Sequence, residues 1–421
     1  MLGETRNTAG YIFLLLVVSQ ALVLCLRQLP RDAELIDSDG RGYFAHLVSF
    51  AREGHPDYGR VLGELGLQQR NHWPVGTSLS WTPFYSMGRA ASLVGESTGG
   101  LKPGFGRGYP EQLACCLGSI AYGSAAVALT FLLCCRWFDP RISLAATLAM
   151  FASTNLPYYL LCEPYMSHGI STFWVSCILY LGLNDRPPGH KTLAGLGVIT
   201  GLAALTRPQD GLFLLVPICW HLTSPWRKQP KVLGGLILAG LLSLVVFSPQ
   251  VAIWQTGLEA EVPTTAVHSQ EINHSVSDGV VPGGRNRWLS PRLKWSLMGP
   301  ECGLWLWHPA TLAAVLGLLL LTRTRRRPAM CLLFGFLCQW YIVSGWGDQG
   351  QTYGARMMCS CFPLLVPGAA CLLSRAFRPV GVLLATTTAW NLVLVMSYRL
   401  AIGGGLENPT LIEVLQSAWN R

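Results

Sequence analysis

The sequence predicts an all-α membrane protein with about eleven transmembrane helices, and three features lead to this fold class. Only 13% of the 421 residues are charged, against roughly 25% in an average soluble domain, and 51% are hydrophobic. The mean hydropathy is +0.36. Uncharged stretches of about 20 residues, the length that crosses a bilayer core as a helix, recur along the chain. These features exclude a soluble enzyme.

Eleven of these stretches are predicted membrane spans, and the uncertainty of their boundaries gives a range of about 10 to 13. They are residues 8–26, 112–135, 142–162, 164–183, 192–206, 211–222, 232–258, 303–322, 328–347, 357–374 and 379–398. The fifth and sixth stretches are short and flank the segment from Thr206 to Asp210. They form either a hairpin of two spans or one span followed by a re-entrant half-helix, which needs protein or a water-filled cavity to cover its break.

Five short basic connections determine the predicted topology. Together they contain 13 Lys and Arg residues against one acid, Asp139, and a second acid, Asp185, directly precedes one of them. They are residues 136–141, 186–191, 227–231, 323–327 and 375–378. The positive-inside rule places all five in the cytoplasm, with the amino terminus inside and the carboxyl terminus outside. Two crossings are then needed between Lys191 and Arg227, which favours the hairpin.

The excess of basic residues behind the net charge of +9 is concentrated in the predicted cytoplasmic turns, so it is a topology signal. Nucleic acid is therefore not an expected partner. The first span resembles a signal peptide, but its apolar stretch is too long and no small-x-small cleavage site follows it, so we expect an uncleaved helix. Residues 1–421 are predicted to form a single integral membrane domain with two long external loops, 27–111 and 259–302.

An acidic pair lies in the first external loop, within Asp37-Ser38-Asp39-Gly40-Arg41-Gly42-Tyr43. If the segment is extended, Asp37 and Asp39 point the same way, since side chains alternate along a strand. Such a pair can hold a divalent metal ion, or one acid can act as general base while the other orients it. The alternative is a simple Asx turn around Gly40. No cofactor is required by the pattern, and Mg²⁺ or Mn²⁺ at Asp37 and Asp39 is the metal it allows.

Residues 71–88 are rich in aromatic residues and punctuated by prolines, and they include Trp73, Trp81 and Tyr85. We expect them to lie at the membrane interface with their rings at headgroup depth. They serve either as an aromatic anchor or as a groove for a lipid substrate.

Three further constellations are predicted on the external side. Glu163 and His168 lie in the turn before the fourth span, where ionisable residues at membrane depth are costly and often functional. Arg207, at the external end of the fifth span, suits a phosphate group, although Asp210 is an alternative partner. The glycine-rich segment from Gly345 to Arg356 allows close backbone approach to a ligand, or forms a tight turn with an interfacial arginine.

The second long loop contains His268, Glu271, His274 and Asp278 in a polar run, and the expected interpretation is a solvated loop. The cysteines are mostly in apolar stretches, where cysteine behaves as a small hydrophobic residue, and Cys302 alone approaches an external loop. No zinc site or structural disulfide is expected.

Taken together, these motifs resemble the polytopic glycosyltransferases of the GT-C superfamily. The resemblance rests on the acidic pair followed by Gly42-Tyr43, on Trp73 to Thr77, on Met166-Ser167-His168, on Leu205 to Gln209 and on Gly350 to Arg356. The sequence looks most like the bacterial branch of dolichyl-phosphate-mannose-type enzymes. The resemblance is good over residues 8–222 and thin afterwards, and the chain lacks the soluble carboxyl-terminal domain of larger members.

The resemblance implies that a sugar moves from a polyprenyl-phosphate donor to a lipid or glycan acceptor on the external (periplasmic) face of a bacterial inner membrane. Asp37 or Asp39 would deprotonate the acceptor hydroxyl, which inverts the anomeric carbon. Arg207, Arg356 and His168 would bind the donor phosphate, whose charge grows as it leaves. The expected substrate-binding residues are Tyr43, Trp73, Glu163, Gln209 and Tyr353.

Two other functions compete with this hypothesis. A secondary transporter or lipid flippase would share the span count, although such proteins commonly have repeats and midplane charges that this sequence lacks. A lipid-linked glycan polymerase or ligase would use the same carriers but would transfer or join whole oligosaccharides.

Overall fold

The helices of the computed structural model follow the apolar stretches of the sequence. The structure describes residues 2–27, 34–55, 58–66, 71–101, 104, 106–259, 288–346 and 352–419, and within them it contains helices but no strand. The α-helices are α1 (Leu2–Arg27), α2 (Asp39–Glu53), α3 (Tyr58–Glu64), α4 (Gly76–Ser97), α5 (Tyr109–Cys134), α6 (Pro140–Ala152), α7 (Leu156–Leu161), α8 (His168–Gly182), α9 (His190–Thr206), α10 (Leu215–Leu222), α11 (Pro230–Glu259), α12 (Leu293–Met298), α13 (Leu304–Trp307), α14 (Pro309–Leu321), α15 (Arg326–Gly345), α16 (Phe362–Arg375), α17 (Phe377–Gly403) and α18 (Leu411–Trp419). The 3-10 helices Pro208–Leu214 and Arg356–Cys361 precede α10 and α16.

Six helical segments of the described chain are long and apolar enough to cross a membrane. They are Gly3–Leu26, Tyr109–Cys134, Pro230–Gln255, Arg326–Gly345, Arg356–Arg375 and Phe377–Gly403. Each one coincides with a predicted span, so the prediction of an all-α polytopic membrane protein is confirmed.

The other five predicted spans are short or interrupted helices. Stretch 142–162 divides into α6 and α7, and stretch 303–322 divides into α13 and α14 at Pro309. The remaining three correspond to α8, α9 and α10, each of 17 residues or fewer. The prolines in the first turns of α7 and α14 mark these two interruptions, because proline fits the first turn of a helix and removes a backbone hydrogen bond further in.

The connection between α9 and α10 reverses the direction of the chain. Arg207 is extended, with φ −150° and ψ 115°, as expected for the residue before a proline. The 3-10 helix Pro208–Leu214 then leads into α10. Trp220 near the end of α10 donates to the Asn184 carbonyl at 2.8 Å, so α10 ends beside the connection where α9 begins. α9 and α10 therefore form a hairpin, and their crossing of the membrane as two spans stays a prediction.

Three of the basic connections meet at one end of the helix bundle. Arg136 donates to the Leu183 carbonyl at 2.7 Å. Arg327 donates to the Trp220 carbonyl at 2.6 Å and lies over the Trp220 ring at 3.9 Å from its centroid. The contacts join the ends of α5, α8, α10 and α15. This common end is what the charge pattern predicts, and its assignment to the cytoplasm stays a prediction.

Small residues allow close helix packing in the interior. Gly317 of α14 and Gly368 of α16 face each other, and a Cβ on either would overlap the backbone of the opposite helix. Gly197 and Gly201 of α9 likewise lie against α11. Such contacts are typical of membrane helices, where tight packing replaces the hydrophobic driving force.

The outer helices α1, α11 and α17 present apolar side chains to their surroundings. Exposed residues include Leu15 and Val18 of α1, Leu244 of α11 and Val382 of α17. A soluble protein rarely exposes contiguous apolar faces of this extent, so these faces match a lipid environment.

Three aromatic rings of the segment 71–88 pack inside the protein, and the position of the segment at the membrane interface stays a prediction. Residues 76–88 belong to α4, which packs along α5. Trp81 is fully buried and its indole N–H donates to Ser119 at 2.9 Å, while the Tyr85 hydroxyl donates to the Gly106 carbonyl at 2.8 Å. The rings of Trp73, Trp81 and Tyr85 are therefore part of the protein core, because each polar tip has a protein partner or is enclosed by packing.

Most of the second external loop lies outside the described residues, including His268, Glu271, His274 and Asp278. All fourteen cysteines lie within the described residues, and Cys302 is buried.

Candidate active site

Asp37 and Asp39 lie in a turn that leads into a helix, and the extended conformation assumed from the sequence is wrong. The Gly40 amide donates to the Asp37 carbonyl at 3.0 Å, and the Arg41 amide donates to the Ser38 carbonyl at 3.1 Å. Ser38 between the two acids has φ +50°, in the left-handed region that a serine rarely adopts. Asp39 is the first residue of α2. This geometry gives the two carboxylates different neighbours.

Each carboxylate faces its own arginine. Asp37 Oδ1 lies 3.1 Å from Arg41 Nη2, and its side chain is 65% exposed. Asp39 Oδ2 lies 3.3 Å from Arg356 Nη1, and this pair is less accessible, at 32% and 11% exposure. Both acids are therefore in ion pairs, and they differ in exposure, with Asp37 the more accessible of the two.

The segment before Arg356 is anchored to α7. Tyr159 donates its hydroxyl to the Tyr353 carbonyl at 3.3 Å and accepts from the Tyr353 amide at 3.1 Å. The Asn155 amide donates to the Ala355 carbonyl at 2.9 Å. Gly354 has φ +59° and lies against the His308 ring, where a Cβ would overlap the imidazole. These contacts explain the glycine and fix the position of Arg356.

The Arg356 guanidinium retains unused hydrogen-bonding capacity. Its Nε is buried and has no hydrogen-bond partner among the described residues. A guanidinium carries five N–H donors in a planar fork that matches a phosphate group.

Arg207 forms a second buried cation at this end of the bundle. Its Nη1 lies 2.6 Å from His168 Nδ1, and its side chain also contacts the Met357 sulfur. With the Gln209 amide oriented to accept, Gln209 receives hydrogen bonds from Arg207 Nη2 at 3.0 Å and Nε at 3.1 Å. Only 6% of Arg207 is exposed.

His168, the first residue of α8, is a neutral imidazole in this geometry. Because a guanidinium can only donate, Nδ1 must accept from Arg207, and the ring proton is then on Nε2. The Tyr159 ring lies 4.3 Å from the His168 ring, centroid to centroid. His168 therefore orients Arg207 rather than adding a second positive charge.

Asp210 is not the partner of Arg207, although the sequence left this alternative open. Its buried carboxylate accepts hydrogen bonds from Ser171 at 2.5 Å and from Ser360 at 3.0 Å. Asp210 thus links the turn after α9 to α8 and to the 3-10 helix Arg356–Cys361. The guanidinium of Arg207 contacts His168 and Gln209 instead.

Tyr43 of α2 lies beside the start of α8. Its hydroxyl donates to Ser167 at 3.3 Å. Burial, together with the nearby Asp39 carboxylate, raises the pKa of Tyr43 to about 12, and the charges of Arg207 and Arg356 act in the opposite direction. Both arginines and Asp39 are therefore within electrostatic reach of one neutral phenol. Direct contacts place these predicted residues in one region: Asp39 pairs with Arg356, and Arg207 contacts His168 and also Met357, the residue after Arg356. Tyr43 contacts Ser167, the residue before His168.

Glu163 lies behind Arg356 in the turn between α7 and α8. The Tyr158 hydroxyl donates to its Oε1 at 2.7 Å. Burial raises the pKa of Glu163, and the positive charges of Arg356 and Arg399 oppose that shift.

Three of the residues expected to bind substrate are enclosed by protein. Tyr353 is fully buried, stacks on Tyr158 at 4.4 Å and donates to the Asn391 side chain at 2.7 Å. Trp73 lies against Gly42, where a Cβ would overlap its ring. Gln209 is occupied by Arg207. Substrate contact by these three residues stays a prediction.

A polar cavity of about 190 Å³ opens beside Asp37. Its lining residues come from the ends of α1, α5 and α17, from the residues before α2 and from the turn after α7. They are Leu24, Glu34, Leu35, Asp37, Cys116, Cys162, Pro164, Tyr165 and Arg399.

The sequence did not predict the role of Arg399 or Ser167. Arg399 carried an available signal, because it is the first charge after the apolar stretch 379–398. Ser167 carried none, since a serine beside a predicted histidine has no distinctive spacing. Neighbours of this kind become visible only when the helices are packed.

The donor set around the aspartates is dominated by arginine. Within the described residues, no group of three or more His, Cys, Asp or Glu side chains converges as a metal-binding set. Asp37 and Asp39 face Arg41 and Arg356 instead of further oxygen ligands. A Mg²⁺ or Mn²⁺ ion at these aspartates stays a prediction, and no step of the reaction proposed below depends on it.

Comparison with known proteins gave matches at the level of structure only. No protein-family model matches the sequence, and no curated protein matches it. Of the solved structures, ArnT from Cupriavidus metallidurans in the apo state aligns over 94% of this chain and 71% of its own, with 15% identity and a TM-score of 0.48.

The archaeal oligosaccharyltransferase AglB from Archaeoglobus fulgidus, solved with an inhibitory peptide and a dolichol-phosphate, aligns over 97% of this chain with 14% identity and a TM-score of 0.50. ArnT and AglB are both polytopic membrane glycosyltransferases of GT-C fold. This chain shares the GT-C fold of AglB. It spans 56% of the length of AglB. At this identity the likeness establishes the GT-C fold alone, and the function must be inferred from the residues of the site.

Proposed function

We propose that this GT-C protein is a glycosyltransferase that moves a sugar from a polyprenyl-phosphate donor to an acceptor hydroxyl, with inversion of the anomeric carbon. The observation that carries the proposal is the proximity of two guanidinium groups at one end of the bundle, where Arg356 pairs with Asp39 and Arg207 contacts Met357, the residue after Arg356. Two buried guanidinium groups suit a phosphate whose negative charge grows in the transition state.

The two aspartates have separate roles in this mechanism. Asp37 is the general base, because its side chain is largely exposed and lines the polar cavity. It takes the proton of the acceptor hydroxyl while that oxygen attacks the anomeric carbon. Asp39 does not touch the acceptor; it is a positioning residue that holds Arg356 towards the phosphate.

The bond from the anomeric carbon to the phosphate oxygen breaks as the new bond forms. The leaving lipid phosphate is bound by Arg356 and Arg207, and Arg207 is held in place by His168 and Gln209. The donor's tail stays in the lipid beside the outer helices. The dolichol-phosphate bound to AglB supports a lipid-phosphate ligand for this fold.

The site lies at the end of the bundle opposite the basic connections. We infer that it faces the periplasm of a bacterium, with the protein in the inner membrane, the amino terminus in the cytoplasm and the carboxyl terminus outside. The acceptor is a lipid or a glycan.

Transfer of label from donor to product tests the proposal. The detergent-solubilised protein is incubated with a membrane extract and tritiated undecaprenyl-phosphate sugars carrying mannose, glucose, galactose or arabinose, with and without EDTA. We expect one sugar to be transferred, and the double variant Asp37→Asn/Asp39→Asn to transfer none while eluting as the same monodisperse species. The EDTA arm reports the metal dependence.

Full activity in the double variant would exclude the proposed chemistry. Labelled solute counterflow in proteoliposomes without a covalent product would favour a transporter. Transfer of a whole oligosaccharide would favour a polymerase or ligase.

A further inference from the structure

The cavity beside Asp37 has the size of a single six-membered ring. Its volume is about 190 Å³, below the roughly 300–1,000 Å³ of sites for drug-sized ligands. A cavity of roughly 150 Å³ can hold one benzene molecule. One small cyclic group therefore fits, and a larger ligand must extend out of the cavity.

The chemistry of the cavity wall suits a molecule with many hydroxyl groups. Glu34 and Asp37 supply carboxylate acceptors and Arg399 supplies guanidinium donors. Tyr165 adds an aromatic surface, and Leu24, Leu35 and Pro164 add apolar contacts. Acceptors, donors and an apolar face together match a ring that has hydroxyls on its rim and C–H groups on its faces.

The charges around the cavity nearly cancel and offer an anion no net attraction. Two carboxylates and one guanidinium line the cavity, so its formal charge is negative. Arg41 contacts Glu34 at 3.6 Å and Asp37 at 3.1 Å from the side of α2, which leaves little net charge for a ligand to neutralise. A phosphate is better matched by Arg207 and Arg356.

The position of the cavity connects it to the proposed chemistry and to the lipid. Asp37 is the proposed base, and Tyr165 packs against Gly40 between the cavity and the start of α2. Leu24 belongs to the membrane helix α1, and the neighbouring residues Leu22 and Leu26 are exposed. A sugar in the cavity would thus be near the base, and a lipid attached to that sugar would be near the bilayer.

We propose that this cavity binds one neutral sugar ring, which is the terminal residue of a membrane-anchored glycan acceptor. This inference rests on the proposed glycosyl transfer and names the class of its acceptor. Asp37 and Arg399 bind hydroxyls of the ring, and Tyr165 packs on one of its faces.

Protection of a cavity thiol from alkylation tests the inference. Cys162 lines the cavity, whereas Cys25 is exposed outside it and serves as the internal reference. The intact protein in detergent is treated with N-ethylmaleimide, and modification of each cysteine is followed by peptide mass spectrometry. Methyl glycosides of mannose, glucose, galactose and arabinose are compared with inorganic phosphate. We expect at least one glycoside to slow modification of Cys162 at least threefold and saturably, with no effect of phosphate.

A matched pair of variants on one helix separates binding from a general effect of charge. Arg399→Gln removes the cavity donor, and we expect it to raise the half-protecting glycoside concentration about tenfold. Arg378→Gln removes an exposed arginine at the opposite end of α17 and should leave protection unchanged. Saturation-transfer difference NMR with the same glycosides is the second readout, and it needs no reactive thiol.

Binding of no glycoside by either method would overturn the inference. Protection by phosphate alone, or glycoside binding that Arg399→Gln does not weaken, would overturn it as well. Glycoside binding without label transfer would support the sugar-binding cavity and contradict the proposed transfer reaction. Label transfer without binding of a neutral glycoside would support the transfer reaction and contradict the sugar-binding cavity.

Discussion

Asp37 and Asp39 are two positions apart, yet they differ in partner and exposure. Asp37 is open to a cavity and Asp39 is paired with Arg356. We therefore expect different kinetic defects in the single variants. Asp37→Asn should lower kcat about 10²- to 10⁴-fold, the usual contribution of a general base.

Asp39→Asn should mainly raise the KM for the donor, about fivefold, because a partly exposed ion pair contributes roughly 1 kcal/mol. Steady-state kinetics with donor and acceptor varied separately distinguishes the two defects. The reverse assignment, with the larger loss of kcat in Asp39→Asn, would make Asp39 the base.

Arg207 should be essential for the stabilisation of the leaving phosphate. We expect Arg207→Gln to lower kcat about 10²- to 10³-fold, as is typical when one preorganised donor to a developing anion is removed. Arg207→Lys should restore only part of the rate, since an ammonium group cannot hold His168, Gln209 and a phosphate together.

The matched control is Arg60→Gln, because Arg60 is 73% exposed on α3. Equal activity of Arg207→Gln and Arg60→Gln would show that Arg207 does not bind the leaving group.

Glu163 predicts a pH effect on stability. Burial raises its pKa above the ordinary value of 4.5, so the folded protein binds this proton more tightly than the unfolded chain does. The stabilisation is complete below pH 4.5 and is lost as the pH rises through the raised pKa. Glu163→Gln removes the titration, so its melting temperature relative to wild type should increase with pH between about 4.5 and 8.

Differential scanning fluorimetry in detergent measures this trend, with exposed Glu407→Gln as control. A difference between Glu163→Gln and wild type that stays constant over this range would contradict it.

At the residue scale, the sequence identified the cations and the phenol that converge, because charged residues at the ends of apolar helices are conspicuous. It did not identify their pairing. Asp210 was an open alternative for Arg207, but two serines from other elements bind it instead. Such choices depend on packing between segments that are distant in sequence, which spacing along the chain cannot specify.

At the scale of helices, the position of Arg207 depends on the contact between α4 and α9. A Cβ at Gly76 would overlap the backbone of Leu205 and Thr206, immediately before Arg207. We expect Gly76→Ala to destabilise the protein by roughly 1–3 kcal/mol through overpacking and to lower transfer by displacing Arg207.

Gly234→Ala on α11 is the control, because nothing lies within 4 Å of the position that its methyl group would take. Melting temperature and label transfer are measured for both variants. A Gly76→Ala protein that matches Gly234→Ala in both would show that the contact is not limiting.

Helix positions were largely predictable, and helix interruptions were less so. All eleven apolar stretches became helices because lipid requires internally satisfied backbone groups. The prolines that divide α6 from α7 and α13 from α14 were visible in the sequence, but an apolar stretch of span length concealed the breaks. The sequence did not show which aromatic rings of α4 pack inside the protein, because Trp81 and Tyr85 are buried on a helix that also exposes apolar residues such as Met87 and Val94.

At the scale of the whole molecule, the charge pattern predicts the orientation in the membrane. Alkaline phosphatase fused after Arg421 should be active in a bacterial host, since it folds only outside the cytoplasm. The same enzyme fused after Lys231 should be inactive, because residues 227–231 are in the predicted cytoplasmic set. Activity of the Lys231 fusion, with an inactive fusion after Arg421, would invert the topology and place the site in the cytoplasm.

The overall architecture followed from composition, because a chain with 13% charged residues and recurrent apolar stretches has few alternatives to a helical membrane bundle. Composition did not reveal how the two ends of the bundle differ. That difference arises from tertiary contacts, with arginines joining the connections at one end and an acid–arginine cluster at the other.

The Nε–H group of Arg356 has no hydrogen-bond partner among the described residues, so phosphate binding to it should change the stability of the protein. This change can be measured without any catalytic assay. A buried donor without a hydrogen bond costs roughly 1–3 kcal/mol, and a phosphate that accepts from it recovers part of that cost. A ligand that binds only the folded protein raises its stability by about 2.7 kcal/mol at a hundredfold excess over Kd. Polyprenyl phosphates without any sugar should therefore raise the melting temperature of the protein. The size of this increase ranks carrier lipids by affinity before a sugar or an acceptor is known.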